Sequence, residues 1–135
     1  MKKLTLLFLL IAIRLCAQTG EPDLNFVFSQ LKGNGPVPFA GALYEGDQAK
    51  AAQLVGRLGP LMRDSGDFLG FEILSRQYLT KRVERVVVAI YFDRFPVYLR
   101  FDYYDTSKGK ICLPASVSKE ANEILPHELI SISGK

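Results

Sequence analysis

Val83-Glu84-Arg85-Val86-Val87-Val88-Ala89-Ile90-Tyr91-Phe92, the link Asp93-Arg94-Phe95-Pro96, and Val97-Tyr98-Leu99-Arg100-Phe101-Asp102-Tyr103-Tyr104 decide how this chain folds. β-Branched and aromatic residues fill both runs, the composition of strands. In the second run Val97, Leu99, Phe101 and Tyr103 alternate with Tyr98, Arg100, Asp102 and Tyr104, which gives one apolar and one polar face. Val86–Phe92 is apolar without a break, as expected of a central strand covered on both sides. The short link cannot house a crossover helix, so the two strands are antiparallel neighbours. Their register is fixed too, because a slip of one residue would bury Arg100 and Asp102 and expose Phe101.

The same texture continues outward. Leu69–Leu79 precedes across Thr80-Lys81-Arg82, and Lys110–Ser118 follows across Thr106-Ser107-Lys108-Gly109. Pro114 cannot donate to a ladder, which predicts an edge or a bulge there. Upstream the period becomes helical. Asp23 caps a helix carrying Leu24, Val27, Phe28 and Leu31 on one face, and Gly33-Asn34-Gly35-Pro36 ends it. Pro36-Val37-Pro38 predicts an extended connector. Asp47 caps a second helix reaching about Asp64, with a bend or break at Gly59-Pro60. After the strands, Glu120–Leu125 reads as a short helical turn and Ser131–Lys135 as a loose tail. The expected class is α+β: N-terminal helices packed on a curved antiparallel sheet of about four sequential strands.

With the helices before it, the run Phe95-Pro96-Val97-Tyr98-Leu99-Arg100-Phe101-Asp102-Tyr103-Tyr104 resembles the cystatin-like α+β roll. That group includes nuclear-transport-factor-two-like and ketosteroid-isomerase-like domains and many small exported bacterial proteins. The resemblance covers about Asp23–Ser118 and rests on pattern, with no diagnostic motif. It implies a cone between sheet and helices, where isomerase-like members hold a small molecule against an acid or base on an inner strand. Glu72, Asp102 and Tyr98 stand at strand positions that could serve. Arg100 shares a face with Tyr98, Asp102 and Tyr104, so these four could form a polar site whose ion pair orients a ligand. The plainer reading, the solvated side of an antiparallel sheet where opposite charges are ordinary, is preferred, because the apolar face and not this one should meet the helices.

The N-terminus has its own pattern. Met1-Lys2-Lys3 is basic, Leu4–Ile13 is apolar except for Thr5, and Arg14-Leu15-Cys16-Ala17 leads into polar sequence. This is the layout of a secretory signal peptide over residues 1–17, cut after Ala17 to leave Gln18. The apolar run is too short to span a membrane, which takes about 20 residues. Acylation at Cys16 is the rival reading, but Arg14 and Leu15 stand where that motif takes small residues. The expected domains are therefore a leader, 1–17, and one α+β domain, 18–135. Export predicts a secreted or periplasmic protein.

Three of the 17 basic residues lie in that leader, so 14 basic and 14 acidic residues remain. A balance near zero argues against nucleic acid as partner. Without Cys16 the chain keeps one cysteine, Cys112, and no internal disulfide, so its core must supply the stability.

Most chemistries fail on residue type. His127 is the only histidine, no Gly-x-Ser-x-Gly is present, and Cys112 sits among apolar strand residues. A Cys112–His127 dyad is weak against the plainer reading of a buried thiol and an exposed histidine. Gly33-Asn34-Gly35 does not follow a strand, so it is no dinucleotide loop. Gln53-Leu54-Val55-Gly56 is one residue short of the cystatin inhibitor loop and falls in a helix. Arg76, Lys81, Arg82 and Arg85 gather near one turn, an anion corner or simply a solvated turn. No metal site and no cofactor are expected. The leading expectation is a non-catalytic protein binding a small ligand or a partner protein, a homodimer included. The alternative is a small-pocket isomerase- or cyclase-like enzyme with Asp102 or Glu72 as general base and Tyr98 as acid.

Overall fold

Residues 23–132 are described by the structure, a computed structural model. The expected leader, residues 1–17, with Cys16 and Ala17, lies outside them. Asp23 caps α1, Leu24–Ser29, by accepting from the Asn25 N–H at 3.0 Å. A short turn, α2 (Leu31–Asn34), is broken inside at Lys32 and Gly33, and Gly35 follows at φ 76°. Pro36-Val37-Pro38 is not the expected extended connector but opens a helix, α3, Pro36–Tyr44. First-turn N–H groups have no intrahelical acceptor, so prolines there lose nothing and arrive with helical φ already set.

Asp47 accepts from Lys50 N–H at 3.2 Å and starts α4, Gln48–Ser65. This helix continues through Gly59-Pro60 without a break. Leu54 and Leu58 are buried beneath it while Pro60 is exposed. Two buried leucines at about 1.5–3 kcal/mol each outweigh the roughly 3 kcal/mol that an interior proline costs. Gly66 ends α4 at φ 85°, where a Cβ would lie 3.0 Å from the Asp93 Cβ, so only glycine suits both the backbone and the space. Gly56 is different. It is helical and exposed, and an added methyl would meet nothing within 4 Å. Gly56→Ala should therefore raise stability by about 0.5–1 kcal/mol in urea melts.

The sheet has five strands: β1 (Phe68–Tyr78), β2 (Val83–Phe92), β3 (Val97–Thr106), β4 (Gly109–Cys112) and β5 (Ser116–Ser118). All pairs are antiparallel in the order β1-β2-β3-β4, with β5 on the same edge of β3 as β4. The expected last strand is thus split, and Pro114 stands in the gap. Tyr44 bridges that gap: its hydroxyl accepts from Ala115 N–H at 2.9 Å and donates to the Leu113 carbonyl at 3.3 Å.

Pairing opposes Val86 to Phe101, Val88 to Leu99 and Ile90 to Val97, and all six are buried on the helix side. Phe28 stacks on Phe71 at 4.7 Å between centroids and tilts against Phe39 at 5.0 Å, so aromatic rings fill the cone. Side chains therefore fill the centre of the space between sheet and helices, where the resemblance places a ligand.

On the opposite face Val87 and Ala89 are only 1% exposed, yet they lie outside that core. Their cover is C-terminal: α5 (Ala121–Ile124) and α6 (His127–Ile132) carry Ile124, Leu125 and Leu129 across the outer face. Ser131 and Ile132 are helical, where a loose tail was expected. No helix among the described residues is long and apolar enough to cross a membrane.

Candidate functional site

The register places the polar outer-face residues in three rows across the sheet. Gln77, Arg85 and Asp102 form one, Ser75, Val87, Arg100 and Ser116 the next, and Glu72, Ala89, Tyr98 and Ser118 the third. Asp102 does take part in an ion pair, but its partner is the cross-strand Arg85 and not Arg100. Arg85 holds it with two parallel bonds, Nε to Oδ1 at 2.8 Å and an Nη to Oδ2 at 3.0 Å. Glu72, exposed on the edge strand, accepts from the Tyr91 hydroxyl at 2.7 Å. That bond, with some burial, raises the Tyr91 pKa and keeps its proton on at neutral pH.

Arg100 is half-buried, and its side chain makes no hydrogen bond or ion pair among the described residues. It lines a cavity of about 200 Å³ with Ser75, Gln77, Arg85, Val87, Ile124, Leu125 and Pro126. Tyr98 lines a second, of about 230 Å³, with Leu74, Ala89, Tyr91, Leu125 and Leu129. Leu125 is the shared wall. Of the residues singled out from the sequence, Tyr98, Arg100 and, through Arg85, Asp102 gather here. Glu72 reaches the edge of the site through Tyr91, and Tyr104 lies apart beside Val83 and Ile111. Ser75, Gln77, Leu125 and Leu129 carried no readable signal.

The basic corner expected near the first turn is divided between the two faces. Arg85 points to the outer side, whereas Arg76 lies on the helix side and holds Glu84, which also accepts from Lys110 Nζ at 3.0 Å. Glu84 is 6% exposed. Burial pushes its carboxyl up, but the bonds from Arg76 and Lys110 outweigh that and hold it below the ordinary range. Beside it the Tyr103 hydroxyl is buried with no hydrogen-bond partner among the described residues.

Tyr103 and Lys110 also line a cavity of about 170 Å³ at the mouth of the cone, with Tyr44, Glu45, Asp47, Lys50 and Cys112. Burial raises the Cys112 thiol to about 12, so it is protonated at neutral pH. Cys112 faces the helices beside Tyr103, while exposed His127 begins the helix that lies on the opposite side of the sheet. The two do not form a dyad. Gln53-Leu54-Val55-Gly56 is helical, and no inhibitor hairpin forms there. A depression of about 570 Å³ between the start of α3 and α4 is lined by Arg63 and otherwise by apolar side chains and glycines.

Comparison with protein families, curated proteins and solved structures finds no match for this chain.

Proposed function

We propose that this is an exported, non-catalytic binding protein of the cystatin-like roll class, which takes a small ligand on the outer face of its sheet beneath α5 and α6. The observation that carries this is where the space lies. The centre of the space between helices and sheet is filled by Phe28, Phe39, Leu54, Leu58 and Phe101, and the cavity beside Tyr103 and Cys112 holds about 170 Å³, whereas two cavities of about 200 Å³ and 230 Å³ that share Leu125 open on the outer face around Arg100 and Tyr98. The isomerase- or cyclase-like alternative needs a desolvated carboxylate free to take a proton. Both carboxylates proposed for it are engaged, Asp102 by Arg85 and exposed Glu72 by Tyr91.

Amide chemical-shift mapping with a fragment library is the test. Bound fragments should perturb residues 75–77, 85–89, 98–100 and 124–129 together. Shifts confined to the groove between α3 and α4, or no binder at all, would overturn the reading. The export half is tested separately: protein recovered from cells should begin at or near Gln18 without lipid. An intact Met1 start or an acylated Cys16 in the mass spectrum would refute it.

A further inference from the structure

From the chemistry of the outer-face cavities we infer that the ligand is a small organic carboxylate with an apolar body, its head on Arg100 and its body lying past Leu125. This rests on the outer-face reading just given and adds the class of molecule bound.

The head site is rich in donors. The first cavity is lined by two guanidinium groups, the Ser75 hydroxyl and the Gln77 amide, and by no carboxylate. Arg85 spends its fork on Asp102, and that pair stands as a fixed, neutral wall. Arg100 has no such partner among the described residues, although it is half-buried. A guanidinium drawn partly out of water and left unpaired is unfavourable, and its planar fork matches a carboxylate through two parallel bonds. Ser116 is the direct cross-strand neighbour of Arg100, and Ser75 lines the same cavity one strand further on, beyond Val87.

The rest of the site is apolar. Ile124, Leu125 and Pro126 line the first cavity, and Leu74, Ala89, Leu125 and Leu129 with Tyr91 and Tyr98 line the second, which opens to solvent. Each cavity, at about 200 Å³ and 230 Å³, has room for roughly seven waters at about 30 Å³ each. A bare phosphate or sulfate would leave the second cavity empty. A carboxylate with a chain or ring behind it uses both.

The test is calorimetric titration of octanoate into protein produced from the full chain, with octanol as the uncharged control. Octanoate should bind saturably at one site, and octanol should bind at least about tenfold more weakly. Arg100→Gln should weaken octanoate by about tenfold or more and leave octanol unchanged, and Arg100→Lys should restore part of the loss. Leu125→Asp should abolish both. Absence of saturable octanoate binding overturns the inference. Equal binding of octanoate and octanol, or octanoate binding indifferent to Arg100→Gln, removes the carboxylate but leaves the outer-face site standing if Leu125→Asp still abolishes binding. Binding that survives Leu125→Asp in a protein with a wild-type melt places the ligand elsewhere, and the outer-face reading falls with it.

Discussion

Phe101→Ala should destabilise the protein by about 3–5 kcal/mol, and Arg100→Ala, its neighbour in the chain, by less than about 1 kcal/mol. Phe101 is 1% exposed, pairs with Val86 and meets Tyr103 edge to face at 5.4 Å between ring centroids. Removing its ring leaves a void in a core already filled by side chains from both layers, and such a site has little means of collapsing. Domains of this size have only about 5–15 kcal/mol in hand, so the variant should approach its unfolding limit. Arg100 points to the other face and has no side-chain partner among the described residues to lose. Paired denaturant melts check both at once. If Arg100→Ala proves the more damaging, the assignment of the two faces is wrong.

Glu84→Ala should cost about 2–3 kcal/mol. Breaking a buried ion pair from one side costs roughly 3–5 kcal/mol. The lower figure applies here because the Arg76 and Lys110 side chains are 36% and 26% exposed and can turn to water when the carboxylate is gone. The same group sets a pH dependence. Its folded pKa lies below the ordinary value of 4.5, so its contribution is present above that value and is lost as pH falls through the folded pKa. Wild-type melting temperature should therefore drop on acidification below about pH 4.5, and Glu84→Gln should flatten part of that drop. An unchanged acid slope in Glu84→Gln would show that the carboxylate is not held as described.

The two long strands were legible because their side chains report their own orientation. Val97, Leu99, Phe101 and Tyr103 announce a buried face, and everything opposite them follows by parity. Parity also held information that a reading by residue type passes over. Counting back by twos from Ile90 through Val88 and Val86 lands on Glu84, which marks it as an inward-facing carboxylate in need of cations. The Arg85–Asp102 pair was hidden for a different reason: the partners lie on separate strands, and only the register brings them together. On β1, irregularities near Leu69 and Leu74 shift the alternation, so Ser75 and Gln77 could not be placed on the outer face from their spacing. Local rules misread Pro36 and Pro60 because they weigh a proline without its position in the helix or the leucines buried beneath it. The cover formed by α5 and α6 was the least legible part, since a few apolar residues around Pro126 give no period from which to infer a surface beneath them.

That cover is also the last part of the chain to be made. Synthesis runs from the N-terminus, so β1 to β5 exist before residues 121–132 do. Until those residues arrive, Val87 and Ala89 form a bare strip on an otherwise finished sheet. Incomplete chains would therefore tend to stick to one another through this face, as would chains clipped near Lys119. The charged residues flanking the strip, Arg85, Arg100 and Asp102, then act as gatekeepers, placing charge beside an apolar lane that a neighbouring nascent sheet could use. The final dozen described residues turn an aggregation hazard into the wall of a cavity.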